Sequence, residues 1–134
     1  MIKEITISTN ERYQLIDIIA EVAKIVKESQ VKNGTVLVFV PHSTAAILLT
    51  ENEKGLKEDI LNVLKKMVSG FDFKHNQIDD NADAHILSAL IGQERFLIIK
   101  DSQLLKGIWQ NIFLVELDGP RERHIFIEIL KSPL

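Results

Sequence analysis

The sequence predicts an α+β domain with a mixed, mostly antiparallel sheet, two longer helices and one short helix. Three observations lead there. The apolar residues switch between a period of two and a helical period in the order strand, helix, two strands, helix, short helix, three strands. No Gly/Ser linker, low-complexity tract or internal repeat divides the 134 residues, so residues 1–134 read as a single domain. The segment "DGPR" is a strong turn signal between the last two apolar runs, which should pair as a hairpin.

"KEITIST" alternates, with Ile5 and Ile7 on one face, and reads as the first strand. Ser8 and Glu11 offer a capping box for a helix from Tyr13 to about Glu28, in which Leu15, Ile18, Ile19, Val22, Ile25 and Val26 recur at helical spacing. Asn33-Gly34 ends it. "TVLVFV" is a continuous β-branched and aromatic run, a strand buried on both faces, and Pro41 closes it because proline cannot donate to a ladder. "AAILLT" resumes as a short strand. From Lys54 to about Val68 an amphipathic helix carries Leu56, Ile60, Leu61, Leu64, Met67 and Val68 as its buried stripe. The polar stretch "FDFKHNQIDDN" is longer than most connections and marks a functional loop. A short helix follows from about Ala82 to Ile91, stopped by Gly92 and capped by Asp80 or Asn81. "RFLIIK", "GIWQNIFLVEL" and "RHIFIEIL" complete the strands.

Composition excludes several classes. Hydrophobic residues make up 46% and charged residues 26%, an ordinary globular balance. The net charge of −3 gives no basic footprint for nucleic acid. The absence of cysteine removes disulfides, thiolate zinc sites and a cysteine nucleophile together. "MIKEITISTNERY" has no signal-peptide core, and no apolar run approaches the ~20 residues of a membrane span, so a soluble cytoplasmic protein is the expectation. The richness in isoleucine, lysine and glutamate leans toward a heat-adapted source.

The chain has four histidines. His124 lies within the last strand, where a half-exposed polar residue is ordinary. His42 follows a buried strand where proline breaks the ladder. His75 lies in the long polar loop, and His85 stands at the start of the short helix. Each has a plain explanation as a hydrogen-bonded, solvated or helix-turn residue. Together, three neutral imidazoles at element ends around an open position would make a catalytic-type zinc or other divalent site. Asp79, Asp80 or Asp83 would then supply a fourth ligand or orient an imidazole N–H. The spacing is no compact metal motif and there is no HExxH pair, so both readings stay open. Ser43 and Thr44 beside His42 suit holding a phosphate or substrate oxygen better than nucleophilic attack, since neighbours in an extended segment face opposite ways and no GxSxG elbow is present. Trp109 reads as core, and Glu116 and Asp118 as a polar strand end and turn. Arg121 and Arg123 either bind an anion or are solvated charges. Neither a GxxxxGK nor a GxGxxG loop occurs.

"PHSTAAILLTENE", "HN", "DDNADAHILSALIG" and "GIWQNIFLVELDGPR", in that order, resemble the segments of the YjbQ-like family, described as secondary thiamine-phosphate synthases. The resemblance covers nearly the whole chain, with Ser43-Thr44 where the family often has two threonines. It implies a sheet curled toward a barrel and a homotrimer. It also implies a site where His42, His75 and His85 bind a metal near Asn52, Asn81 and the Trp109-Gln110 segment, with His42, Asn52 and Asp83 at the chemistry. Ser43, Thr44, Asn81, Trp109, Gln110 and Arg121 would hold the ligand. The implied reaction joins hydroxymethylpyrimidine diphosphate to a thiazole phosphate, and a divalent cation would stabilise the leaving pyrophosphate. Histidine nitrogens favour zinc in a purified sample, with magnesium as the alternative for activity. The competing expectations are a non-catalytic trimer that binds a small phosphorylated ligand, and a metal-dependent phosphate-ester hydrolase.

Overall fold

The computed structural model describes residues 1–133. Eight strands and three α-helices follow in the order β1 (Ile2–Ser8), β2 (Gln14–Asp17), α1 (Ile19–Ser29), β3 (Gly34–Phe39), β4 (Ala45–Thr50), α2 (Lys54–Met67), α3 (Ala82–Ile91), β5 (Glu94–Lys100), β6 (Gln103–Leu105), β7 (Asn111–Glu116) and β8 (Glu122–Lys131), with a 3-10 turn at Lys74–Gln77 before α3. The fold is α+β. A five-stranded sheet ordered β1-β8-β3-β5-β6 curls into half a barrel, and a three-stranded sheet is ordered β2-β7-β4. Every strand pair is antiparallel.

The main core lies between the sheets. β8 buries Arg123, Ile125, Ile127 and Ile129 on one face, the alternation of a strand with one covered side. These isoleucines, with Val36 and Val38 of β3, meet Ile47, Ile112 and Leu114 of the smaller sheet, and α1 adds Val22, Ile25 and Val26. The far face of the smaller sheet packs Ala46 and Val115 against Ala84 and Leu87 of α3. Ser88 of α3, fully buried, donates its hydroxyl to the Ala45 carbonyl at 2.6 Å and pegs the helix to β4. Gly92 ends α3 at φ 98°, a conformation that favours glycine, and its carbonyl accepts from the Ile47 amide.

Several elements differ from the sequence reading. Tyr13–Asp17 is not helical: β2 pairs with β7, and α1 begins only at Ile19, where Asp17 accepts from the Ile19 amide at 2.9 Å. Sheet pairing overrides the helical spacing there. Ser8 ends β1, so the expected capping box does not form. The last two strands do not make a hairpin. β7 is buried along almost its whole length and sits centrally between β2 and β4, whereas the alternating β8 lies between β1 and β3. "DGPR" therefore carries the chain from one sheet to the other. Residues Gly107–Gln110 are a turn rather than strand, with the Gly107 amide donating to Gln110 Oε1 at 2.7 Å. α2 forms as expected yet has no buried residue; Leu64 and Val68 only reach the edge of the second cluster.

Candidate functional site

The chain crosses between the sheets twice at the same end of the molecule. Residues 41–44 lead from β3 to β4, and residues 117–121 lead from β7 to β8; Ala45 and Glu116 are register partners. The two crossings and the start of α3 enclose a pocket of about 380 Å³ lined by His42, Ser43, Thr44, Asp79, Asn81, His85, Asp118, Arg121 and Arg123.

Its floor is a buried ion pair. Arg123 donates from Nη2 to Glu116 Oε2 at 2.5 Å and from Nε to Oε1 at 2.8 Å, with side-chain exposures of 3% and 0%. Thr9 donates to the same carboxylate at 2.7 Å, and the Leu117 and Asp118 amides complete it. Arg123 also reaches the Thr44 carbonyl and hydroxyl at 3.0 and 2.9 Å, so one guanidinium ties both crossings together. Burial alone would push the Glu116 carboxyl up, but these donors outweigh it and hold it below its usual range. Gly119 is required beside the pair, since a methyl group there would meet Glu116 Cγ, Thr9 Oγ1 and the Glu11 carbonyl.

A second chain of hydrogen bonds forms the wall. His75 Nε2 lies 2.8 Å from Asn81 Oδ1, the Asn81 amide donates to Asp118 Oδ2 at 2.9 Å, and Arg121 donates to the same oxygen at 2.8 Å. With the amide oxygen as acceptor, His75 carries its proton on Nε2. Burial alone would raise Asp118; Asn81 and Arg121 outweigh it and keep its carboxyl low. Asn81 precedes α3, but its side chain does not cap the helix. Asn76 Oδ1 does so by accepting from the Ala82 amide at 3.0 Å, which leaves Asn81 to the wall.

His42 accepts the His124 backbone N–H on Nε2 at 3.1 Å and stacks on the His124 ring, centroids 5.8 Å apart. Desolvation first, then the Arg123 charge, lower its pKa, so it is neutral with the proton on Nδ1. His124 in turn lies against Glu4 and Glu122 on the outer face of the larger sheet. His85 is half-buried and makes no side-chain hydrogen bond among the described residues; its ring meets His75 edge-on with centroids 4.8 Å apart.

The structure brings together His42, Ser43, Thr44, Asn81, His85 and Arg121, with His75 joined through His85 and Asn81. It does not bring in Asn52, Trp109 or Gln110. Asn52 donates to Asp17, which also holds Asn111, at the opposite end of the smaller sheet, roughly 20 Å along β4 at ~3.3 Å per residue. Trp109 is 68% exposed rather than core. Asp83 faces away from His85: Arg12 binds it at 2.9 Å, and the Tyr13 hydroxyl donates to it. Two residues apart on a helix point about 200° apart, which accounts for the separation. Desolvation and the Asp83 carboxylate together push the Tyr13 phenol well up, so it remains a donor. No group of three His, Cys, Asp or Glu side chains stands ready to hold a metal among the described residues. The His42 imidazole is committed apart from the His75–His85 ring pair, because its Nε2 lone pair is taken and its Nδ1 bears hydrogen. Sequence reasoning passed over Thr9, took Asp118 as a turn residue and left Arg123 between anion binding and solvent, since nothing local signals that a turn acid will join the pocket wall or that a strand arginine will be buried.

A family profile described as UPF0047 protein YjbQ-like matches residues 3–132. The chain is similar to the UPF0047 protein MJ1081 of Methanocaldococcus jannaschii, 40% identical over 97% of this chain and 94% of that one. A UPF0047 protein of Archaeoglobus fulgidus is 39% identical over 95% and 99%. Among solved structures, a YbjQ-like protein of unknown function from Sulfolobus solfataricus superposes with a TM-score of 0.96 at 49% identity, over 98% of this chain and 97% of that one. A hypothetical protein from Aeropyrum pernix gives 0.95 at 35% identity, over 98% and 99%. The thiamine-phosphate synthase reading falls here: these relatives are described only as UPF0047 or hypothetical proteins, the Sulfolobus one as of unknown function, and none by that reaction.

The lowered pKa of His42 fixes a sign. Between its ordinary value of 6.5 and its lower folded value, the unfolded chain binds more protons, so stability drops as pH falls through that window. Glu116 and Asp118, also lowered, add a further loss below the ordinary carboxylate range of about 4. Melting temperature should therefore decline in two stages on acidification, and the stage beginning near pH 6.5 should shrink in His42→Gln. A wild-type curve flat from pH 7 to 5 would refute the assignment.

Proposed function

The chain belongs to the YjbQ-like UPF0047 family, and from the pocket it carries we propose that it is an enzyme in which His85 moves a proton on a small polar molecule. One observation carries the reading: His42, His75 and His124 all have hydrogen-bond partners, whereas the His85 imidazole faces the pocket with none among the described residues. A general acid–base needs such a group within reach of the bound molecule. His42 in its Nδ1–H tautomer, the Ser43 hydroxyl and Arg121 are donors for the oxygens of that molecule. Incubating the purified protein with a mixed metabolite extract should change at least one small polar compound, and His85→Gln should abolish that change while folding normally. A change that persists in His85→Gln refutes the proposal.

A divalent cation on His75 and His85 is a second reading, supported by their ring spacing. Two imidazoles sharing a tetrahedral zinc ion at Zn–N of about 2.1 Å have centres roughly 5 Å apart, and these lie 4.8 Å apart. Such an ion would polarise an oxygen of the bound molecule. Zinc titration should show about one ion per chain, lost in His75→Ala or His85→Ala and retained in His42→Ala. Equal loss in the His42 variant would restore the three-histidine set.

Self-association through the outer face of the larger sheet belongs to the same proposal. Phe96, Ile98, Leu105 and Leu130, all more than half exposed, cluster there; Ile98 pairs with Leu105, and Thr35 lies between Ile98 and Leu130. Apolar patches of this extent mark interfaces. Light scattering should give a multiple of the 15.2 kDa chain mass, three being the number the resemblance implies, and Phe96→Glu should shift it toward the monomer. A monomeric wild type would count against this.

A further inference from the structure

His85 borders two cavities. On one side lies the polar pocket. On the other lies a cavity of about 590 Å³ lined by Phe73, Ala82 and Ile86, together with Asp72, Lys74 and His75. His85 is the residue the two linings share. The boundary is sharp along the chain: Asn81 faces the polar side and Ala82 the apolar side.

The two cavities ask for different chemistry. In the polar pocket the acceptors of Glu116 and Asp118 are largely spent, while the exposed Asp79 carboxylate keeps its own. Glu116 receives Arg123, Thr9 and two amides, and Asp118 Oδ2 receives Asn81 and Arg121. Uncommitted donors remain at His42 Nδ1, at the Ser43 hydroxyl and on the outer nitrogen of Arg121, whose side chain is half exposed. A head rich in acceptor oxygens suits the donors of His42, Ser43 and Arg121. The far cavity offers an aromatic ring, a methyl group and an isoleucine, and Phe73 is held in place by stacking on Phe71 with centroids 5.4 Å apart. It suits a compact apolar body.

We propose that the two cavities form one ligand site, for a small molecule with a carboxylate-like head in the polar pocket and a compact apolar body against Phe73 and Ile86. This deepens the acid–base reading and rests on it for the role of His85, which lies where head joins body, beside the bonds at which a proton would be exchanged.

Equilibrium binding tests the ligand class without turnover. The probes are acetate for the head, benzyl alcohol for the body and phenylacetate for both, followed by the amide shifts of residues 41–44 and 72–86. Phenylacetate should bind about tenfold or more tightly than either partial probe. Phe73→Ala and Ile86→Ser, both outside the core, should bring phenylacetate down to the acetate level and leave acetate unchanged. Arg121→Gln should weaken both acids and spare benzyl alcohol. Phenylacetate that binds no better than acetate, or that ignores the Phe73 and Ile86 changes, overturns the inference. Tight phenylacetate binding beside a metabolite change that persists in His85→Gln would instead overturn the acid–base role and leave the ligand class standing.

Discussion

The Glu116–Arg123 pair holds the two sheets in register at the end where the pocket opens. Glu116 ends β7 in one sheet, Arg123 starts the buried face of β8 in the other, and Thr44 between them introduces β4. Two charges out of water cost several kcal/mol each, and only dense hydrogen bonding offsets that. Five donor groups from Thr9, Arg123 and the Leu117 and Asp118 amides converge on one carboxylate here. An apolar pair could fill the same volume. It could not fix the directions of Thr44 and Asp118, and those directions define the pocket.

Much of this was legible in the sequence, and the reasons for the rest are local. The strands at Gly34–Phe39 and Ala45–Thr50, the helices at Lys54–Met67 and Ala82–Ile91 and the stop at Gly92 carry their own periodicity and caps, and they stand where expected. Tyr13–Asp17 misled because four residues of edge strand and the first turn of a helix share the same apolar spacing. The final hairpin misled because a turn motif fixes the bend and not the partner. Only the contrast between the unbroken apolar run of β7 and the alternation of β8 separates the two sheets, and that contrast is a property of burial on both faces.

The site shows the same division. His42, His75 and His85 were singled out by position at element ends, and the structure places them around one wall. Their roles could not be read, because a histidine's role depends on what its second nitrogen meets. For His42 that is the backbone of a strand 82 residues away; for His75 it is an asparagine six residues away. Asp83 and His85 look like partners in sequence and lie on opposite sides of α3, which separates the wall from the Arg12–Tyr13–Asp83 cluster.

The segment between α2 and α3 is fastened mainly at its C-terminal end, where Asn76 caps Ala82 and His75 meets Asn81 and His85. Lengthening a connection costs little, about 0.6 kcal/mol for each doubling. Insertions between Met67 and Asp72 can thus accumulate cheaply, whereas the crossings at 41–44 and 117–121 tolerate none without breaking the pair beneath them. A change of length there would reshape the cavity beside Phe73 and leave the Glu116–Arg123 floor in place.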